Sequence, residues 1–80
     1  MSIEMHFYVN RNKDGTIHVQ NAVMGMMGQH HVHSKKGFEK WKQGINEKCI
    51  TLLEGECDCG LKIGYVKDHH GNITHNDRFE

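Results

Sequence analysis

The feature that most constrains the fold is a strict alternation near the N-terminus. Ile3, Met5, Phe7 and Val9 fall on one side of an extended chain, and Glu4, His6, Tyr8 and Asn10 on the other. Successive side chains of a strand point to opposite faces, so this is the period of a half-buried strand. Ile17 and Val19 resume the pattern after Lys13-Asp14-Gly15. A two-residue Asp14-Gly15 turn would set Val9 opposite Gln20. A three-residue loop with Gly15 left-handed sets Val9 opposite Val19 and Phe7 opposite Asn21, which keeps the apolar faces together and is preferred.

The C-terminal part repeats the device. Leu61, Ile63 and Tyr65 lead to Asp68-His69-His70-Gly71-Asn72 and then Ile73. With Gly71 in the turn, Val66 is expected to face Thr74, Tyr65 to face His75 and Leu61 to face Phe79. Between the two hairpins, Ser34 can cap a helix running through Lys48. Phe38, Trp41, Ile45 and Cys49 follow the spacing of one buried helical stripe. Gly37 and Gly44 weaken that helix by about 1 kcal/mol each relative to Ala, so packing must hold it. Cys49-Ile50-Thr51-Leu52-Leu53 reads as a further strand. The expected architecture is one α+β domain spanning residues 1–80: an antiparallel β-sheet of two hairpins plus a central strand, with one helix packed across one face.

At this size only about 60% of the unfolded surface is buried, so the fold is marginal unless something staples it. The available chemistry is unusual, with eight His and three Cys among 80 residues. On an extended segment the His30-His31-Val32-His33 run puts His31 and His33 on one face, about 7 Å apart. Cys57-Asp58-Cys59 does the same for its two thiols. If the segments meet, His31, His33, Cys57 and Cys59 supply the tetrahedral N2S2 set that zinc favours, with His30 and Cys49 as alternate ligands. Such a clamp would add folding free energy, because it does not exist in the unfolded chain. Met24-Gly25-Met26-Met27-Gly28 precedes the His run and makes Cu(I) a minor alternative metal. Met is also an adaptable filler, so these residues read as a mobile contact segment.

Three Cys is an odd count, which argues against a secreted disulfide framework, and Met1–His6 has no signal-peptide pattern. No run approaches a membrane span. A cytoplasmic protein with reduced thiols and no membrane partner is therefore expected. Net charge is zero with His neutral. Residues 1–48 carry seven Lys/Arg against four Asp/Glu (+3), and residues 49–80 carry three against six (−3).

A hairpin, then His residues, then a helix superficially resembles the ββα-metal arrangement of HNH-type nucleases. That resemblance implies a role for His31 in activating water, with His33 and Asn46 around a metal. It covers only about 20 residues, and the helix contains no His to complete the ligand set. No other catalytic motif is present. A thiolate nucleophile from Cys49 or Cys57 would need a neighbouring His and a cleft. The expected function is thus a non-catalytic binding or regulatory module, an inhibitor for example. It would act by protein–protein contact, be zinc-stabilised, and be able to form a homodimer through exposed edges. The alternative partner is nucleic acid, met by a helix face carrying Lys35, Lys36, Lys40, Lys42 and Lys48. That face also reads as ordinary solvated surface, with Lys35 and Glu39 paired. Eight His can gain charge as pH falls, and ligand His must be neutral to bind metal, so the fold is expected to weaken on mild acidification.

Overall fold

The computed structural model describes residues 5–23, 26–57 and 60–79. It is a mixed α+β fold with one α-helix and a six-stranded sheet. In chain order the elements are β1 (Met5–Asn12), β2 (Ile17–Val23), β3 (Met26–His33), α1 (Lys35–Lys42), β4 (Ile50–Cys57), β5 (Tyr65–Lys67) and β6 (Ile73–His75). Short 3-10 turns occupy Glu47–Cys49 and Asp77–Phe79. The strand order is β4-β1-β2-β3-β5-β6. Among the described residues, no helix is long and apolar enough to cross a membrane.

The apolar alternation does its work in β1 and β2. They pair antiparallel with Val9 opposite Val19 and Phe7 opposite Asn21, and Gly15 takes φ +89° in the connection. Phe7, Val9, Ile17 and Val19 form the core with Phe38 from α1. Trp41, Ile45, Cys49 and Ile50 pack against this cluster. Phe7 meets the Trp41 ring edge-on, with centroids 5.0 Å apart.

Several expectations need correction, among them the central strand, since β4 lies at the edge of the sheet. The sheet is mixed, because β4 lies parallel to β1. A helix between β3 and β4 lets the chain cross back over the sheet, and β4 then docks on the free side of β1. The helix stops at Lys42 rather than Lys48. Ser34 caps its start by accepting from the Gly37 N–H. Gly44 and Ile45 donate to the Trp41 and Lys42 carbonyls as the helix unwinds. Asn46 then accepts from the Lys48 N–H to start the 3-10 turn. Ile45 and Cys49 still reach the core, by a turn instead of a continuous helix.

A further correction concerns residues 26–33, read as a Met-rich loop and a His segment. They form β3, paired antiparallel to β2; Met24 and Gly25 lie outside the described residues. The β2–β3 register slips between Gln20 and Ala22, where the Asn21 side chain folds over Gly28 and accepts from the Gln29 N–H at 2.6 Å. A Cβ on Gly28 would collide with the Asn21 carboxamide, so the bulge needs glycine there.

β5 pairs with β3, His31 standing opposite Val66. β5 and β6 pair with Tyr65 opposite His75 and Val66 opposite Thr74. Their connection is fixed by the Asp68 carboxylate, which accepts the His70 and Asn72 N–H groups at 2.9 Å each, and by Gly71 at φ +88°. These bonds hold the Asp68 carboxyl below the usual carboxylate range. The strands are too short to set Leu61 opposite Phe79.

Candidate functional site

Strand β3 carries imidazoles on both of its faces. In register with β2, His33 stands opposite Ile17 and His31 opposite Val19, on the core side. His31 is 4% exposed and His33 1% exposed. The two rings meet edge to face with centroids 4.9 Å apart. Trp41 lies 6.0 Å from the His31 ring and 5.5 Å from the His33 ring. Phe79 stacks on His31 at 4.3 Å, and Phe38 approaches His33 at 6.5 Å. Among the described residues none of the four ring nitrogens has a hydrogen-bond partner. A charged ring in this aromatic box would have neither water nor counter-ion. Burial therefore pushes His31 down to about 3, aided by repulsion from His33, His18, His30 and Arg78, and pushes His33 down to about 4. Both rings are neutral at physiological pH and pack as aromatic core.

The opposite face holds a second group. His18 stands opposite Val32, so its side chain points away from Val19 and the core cluster. Its Nε2 lies 2.9 Å from His30 Nδ1, and its Nδ1 lies 3.2 Å from Cys57 Sγ. β4 delivers Cys57 there by pairing it with Asn12, next to the β1–β2 turn. Burial lowers the pKa of both rings, with the His30 charge adding to the effect on His18 and Lys67 adding to that on His30.

The expected N2S2 ligands are therefore distributed over the molecule. His31 and His33 come together. Cys57 lies across the sheet from them, with the alternate ligand His30 on its own side. Cys49 packs against the core beside Ile45 and Ile50. Cys59 lies outside the described residues. Among the described residues no group of three or more His, Cys, Asp or Glu is disposed to hold a metal ion. Two neutral imidazoles make half of a tetrahedral zinc site, and the sheet keeps the Cys57 sulfur from completing it. The residues of the HNH-like reading are also separated in role, since His33 is core and Asn46 is an exposed turn cap.

A third feature lies along β4. Between Val9 and Arg11, β1 has one residue, whereas between their partners Leu52 and Glu56, β4 has three. Gly55, at φ +113°, absorbs the bulge. The bulge breaks the β1–β4 register, and Leu52 and Leu53 stay exposed beside the first turns of α1. A groove of about 490 Å³ results. Its floor is Val9, Ile17 and Phe38, its wall is Leu52 and Leu53, and Arg11, Lys35 and Glu39 stand on its rim. Leu52 is 71% exposed. Lys35 and Glu39 do not pair, and neither Arg11 nor Lys35 makes an ion pair among the described residues.

Sequence reasoning missed His18, Trp41 and Phe79 as neighbours of the His run. The alternation of Ile17, His18 and Val19 already placed His18 off the core face. What was lacking was the β2–β3 pairing that sets it beside His30. Comparison with protein families, curated proteins and solved structures finds no match for this chain.

Proposed function

We propose that this chain is a small non-catalytic binding module that works by protein–protein contact, through the groove between α1 and β4. The observation that carries this reading is the groove itself: an apolar floor and wall, with cations on the rim that make no ion pair among the described residues. Pockets of this size and lining accept an apolar side chain, while a few polar groups fix its orientation. Exposed apolar side chains mark a contact site when they are contiguous with other apolar surface, as Leu52 and Leu53 are with the groove. Two cations, Arg11 and Lys35, face one carboxylate, Glu39. The occupant is therefore a partner segment bearing a large apolar side chain flanked by Asp or Glu. Covering the area still exposed would contribute about 1–2 kcal/mol at Leu52, which is 71% exposed, and about 0.6–1.3 kcal/mol at Leu53, which is 42% exposed.

The test is amide and methyl NMR with Leu-centred peptides carrying acidic, neutral or basic flanks. Shifts should cluster at Val9, Phe38, Leu52 and Leu53, be strongest for acidic flanks, and vanish in Leu52→Lys. Arg11→Glu should reverse the preference for flanking charge. Three results would overturn the reading: no shifts with any peptide, shifts that map elsewhere, or closure of the groove by self-association. Binding of an oligonucleotide that weakens steeply with salt would favour the lysine face of α1 instead.

A further inference from the structure

Cys57, His18 and His30 form a chain of contacts that the binding reading does not use. We propose that Cys57 is a nucleophilic thiol that exchanges with small anionic disulfides, with His18 as its base and His30 as the residue that positions that base. The geometry is that of an activated nucleophile: a thiol within hydrogen-bond reach of an imidazole whose far nitrogen is held by a third group. Cys57 Sγ is 3.2 Å from His18 Nδ1, and His18 Nε2 is 2.9 Å from His30 Nδ1. In the tautomer that places the His18 proton on Nε2, that proton is donated to His30, and the Nδ1 lone pair faces the thiol. His18 is buried, which fixes its ring, whereas Cys57 is only half-buried. His30 is neutral, unlike the carboxylate that usually orients a catalytic His, so it fixes the ring without strongly favouring imidazolium. Among the described residues, the other titratable groups near the relay are Lys67, opposite His30 in β5, Glu56, next to Cys57 in β4, and the neutral His31 behind the sheet.

The step balances without an external oxidant other than the disulfide. The Cys57 S–H proton passes to His18 Nδ1, and the thiolate attacks one sulfur of RS–SR. The new Sγ–S bond forms as the old S–S bond breaks. The departing thiolate takes the proton back from His18, leaving Cys57–S–SR and RSH. Exchange of this kind requires only a thiolate and in-line access, with no oxyanion site. We assign charge selection to a neighbouring cleft of about 500 Å³, which Cys57 itself does not line. Asn12, the register partner of Cys57, lines this cleft, as do Lys13, Lys62 and Ile63. The Asp14 carboxylate in its wall is already engaged by the Thr16 N–H and hydroxyl. The two lysines are therefore the charges offered to carboxylates of an incoming disulfide.

The full-length protein is incubated with glutathione disulfide, and adducts at each cysteine are followed by peptide mass mapping. Cys49 serves as the internal reference. At pH 7.5 Cys57 should react at least about tenfold faster than Cys49, and His18→Asn should remove about tenfold or more of its rate, at the lower end of general-base effects. His30→Gln should retain part of the rate, and Lys13→Gln with Lys62→Gln should lower the rate with glutathione disulfide but not with neutral hydroxyethyl disulfide. The wild-type pH profile supplies a second readout if His18→Asn does not fold. An unassisted thiol of pKa about 8.5 loses about 16-fold in thiolate between pH 8.5 and 7.0, whereas the relay predicts a clearly smaller loss. Equal rates at Cys57 and Cys49, or a folded His18→Asn with unchanged rate, or the full loss with pH, would overturn the proposal.

Discussion

His31 and His33 stand edge to face on the core side of β3, 4.9 Å between ring centres, with no hydrogen-bond partner for either ring among the described residues. Imidazole here does the work of phenylalanine while keeping the capacity to take up a proton. The unfolded chain protonates these rings near pH 6.5, but the folded chain resists until about pH 3 and 4. Depressed folded-state values mean the unfolded state binds more protons below pH 6.5, so stability falls as pH falls, and it continues to fall until the folded values are reached. Between pH 7.5 and 5.5 each ring should remove about 1.4 kcal/mol, about 2.7 kcal/mol for the pair. For a domain of this size Tm should drop by about 10–20 °C. Thermal melts across that interval check it, and His31→Phe should flatten the dependence by about half.

The sequence already implied acid sensitivity, but from metal ligation rather than burial. With the sheet between the His31/His33 pair and Cys57 by register, an ion shared between them is not expected to hold the fold. Adding a chelator at pH 7.5 should therefore shift Tm by less than about 4 °C, equivalent to under about 1 kcal/mol. Native mass spectrometry before and after the chelator reports any bound ion directly. A larger loss of stability, together with loss of a bound ion, would show that donors outside the described residues complete a site.

How far the fold was legible depends on what marks each strand. Phe7, Val9, Ile17 and Val19 were readable because ordinary apolar residues alternate with polar ones. The stripe Phe38, Trp41, Ile45 and Cys49 was readable as core-facing, although only its first two members are in the helix and only Phe38 is fully buried. β3 was not readable. Its inward residues are His31 and His33, which count as polar in any hydropathy pattern and become core only when neutral and enclosed by Trp41 and Phe79. The placement of β4 beside β1 depends on where the crossover lands, and local periodicity carries no information about that. The same blindness split the expected metal site, because H-x-H and C-x-C each fix a local face but not which side of the sheet the other segment meets.

Gly28 provides a test of the bulge. Gly28→Ala forces its methyl group into the Asn21 carboxamide, which is itself tied to the Gln29 N–H. Overpacking of this kind should destabilise by about 1–3 kcal/mol. Adding Asn21→Ala removes the obstruction, so the double variant should lose clearly less than the sum of the two single losses. Denaturant melts of the four proteins give the coupling, and strict additivity would show that Asn21 does not fill that space.

Val9 and Leu52 are register partners on neighbouring strands, yet one is 4% exposed and the other 71% exposed. If the groove is a contact surface rather than a defect in the core, the two positions should respond oppositely. Val9→Ala removes two buried methyl groups and opens a cavity beneath Phe38, which should lower stability by about 2–3 kcal/mol. Leu52→Lys changes a side chain that is already solvated, and should move stability by no more than about 0.5 kcal/mol. The same Leu52→Lys change should abolish binding of the acidic, Leu-centred peptide, because it removes apolar contact area and adds a charge to the groove wall. Measuring stability and peptide affinity on both variants separates the roles. A Leu52→Lys protein that unfolds as readily as Val9→Ala would mean that Leu52 belongs to the core, and the groove would then lose its standing as a docking surface.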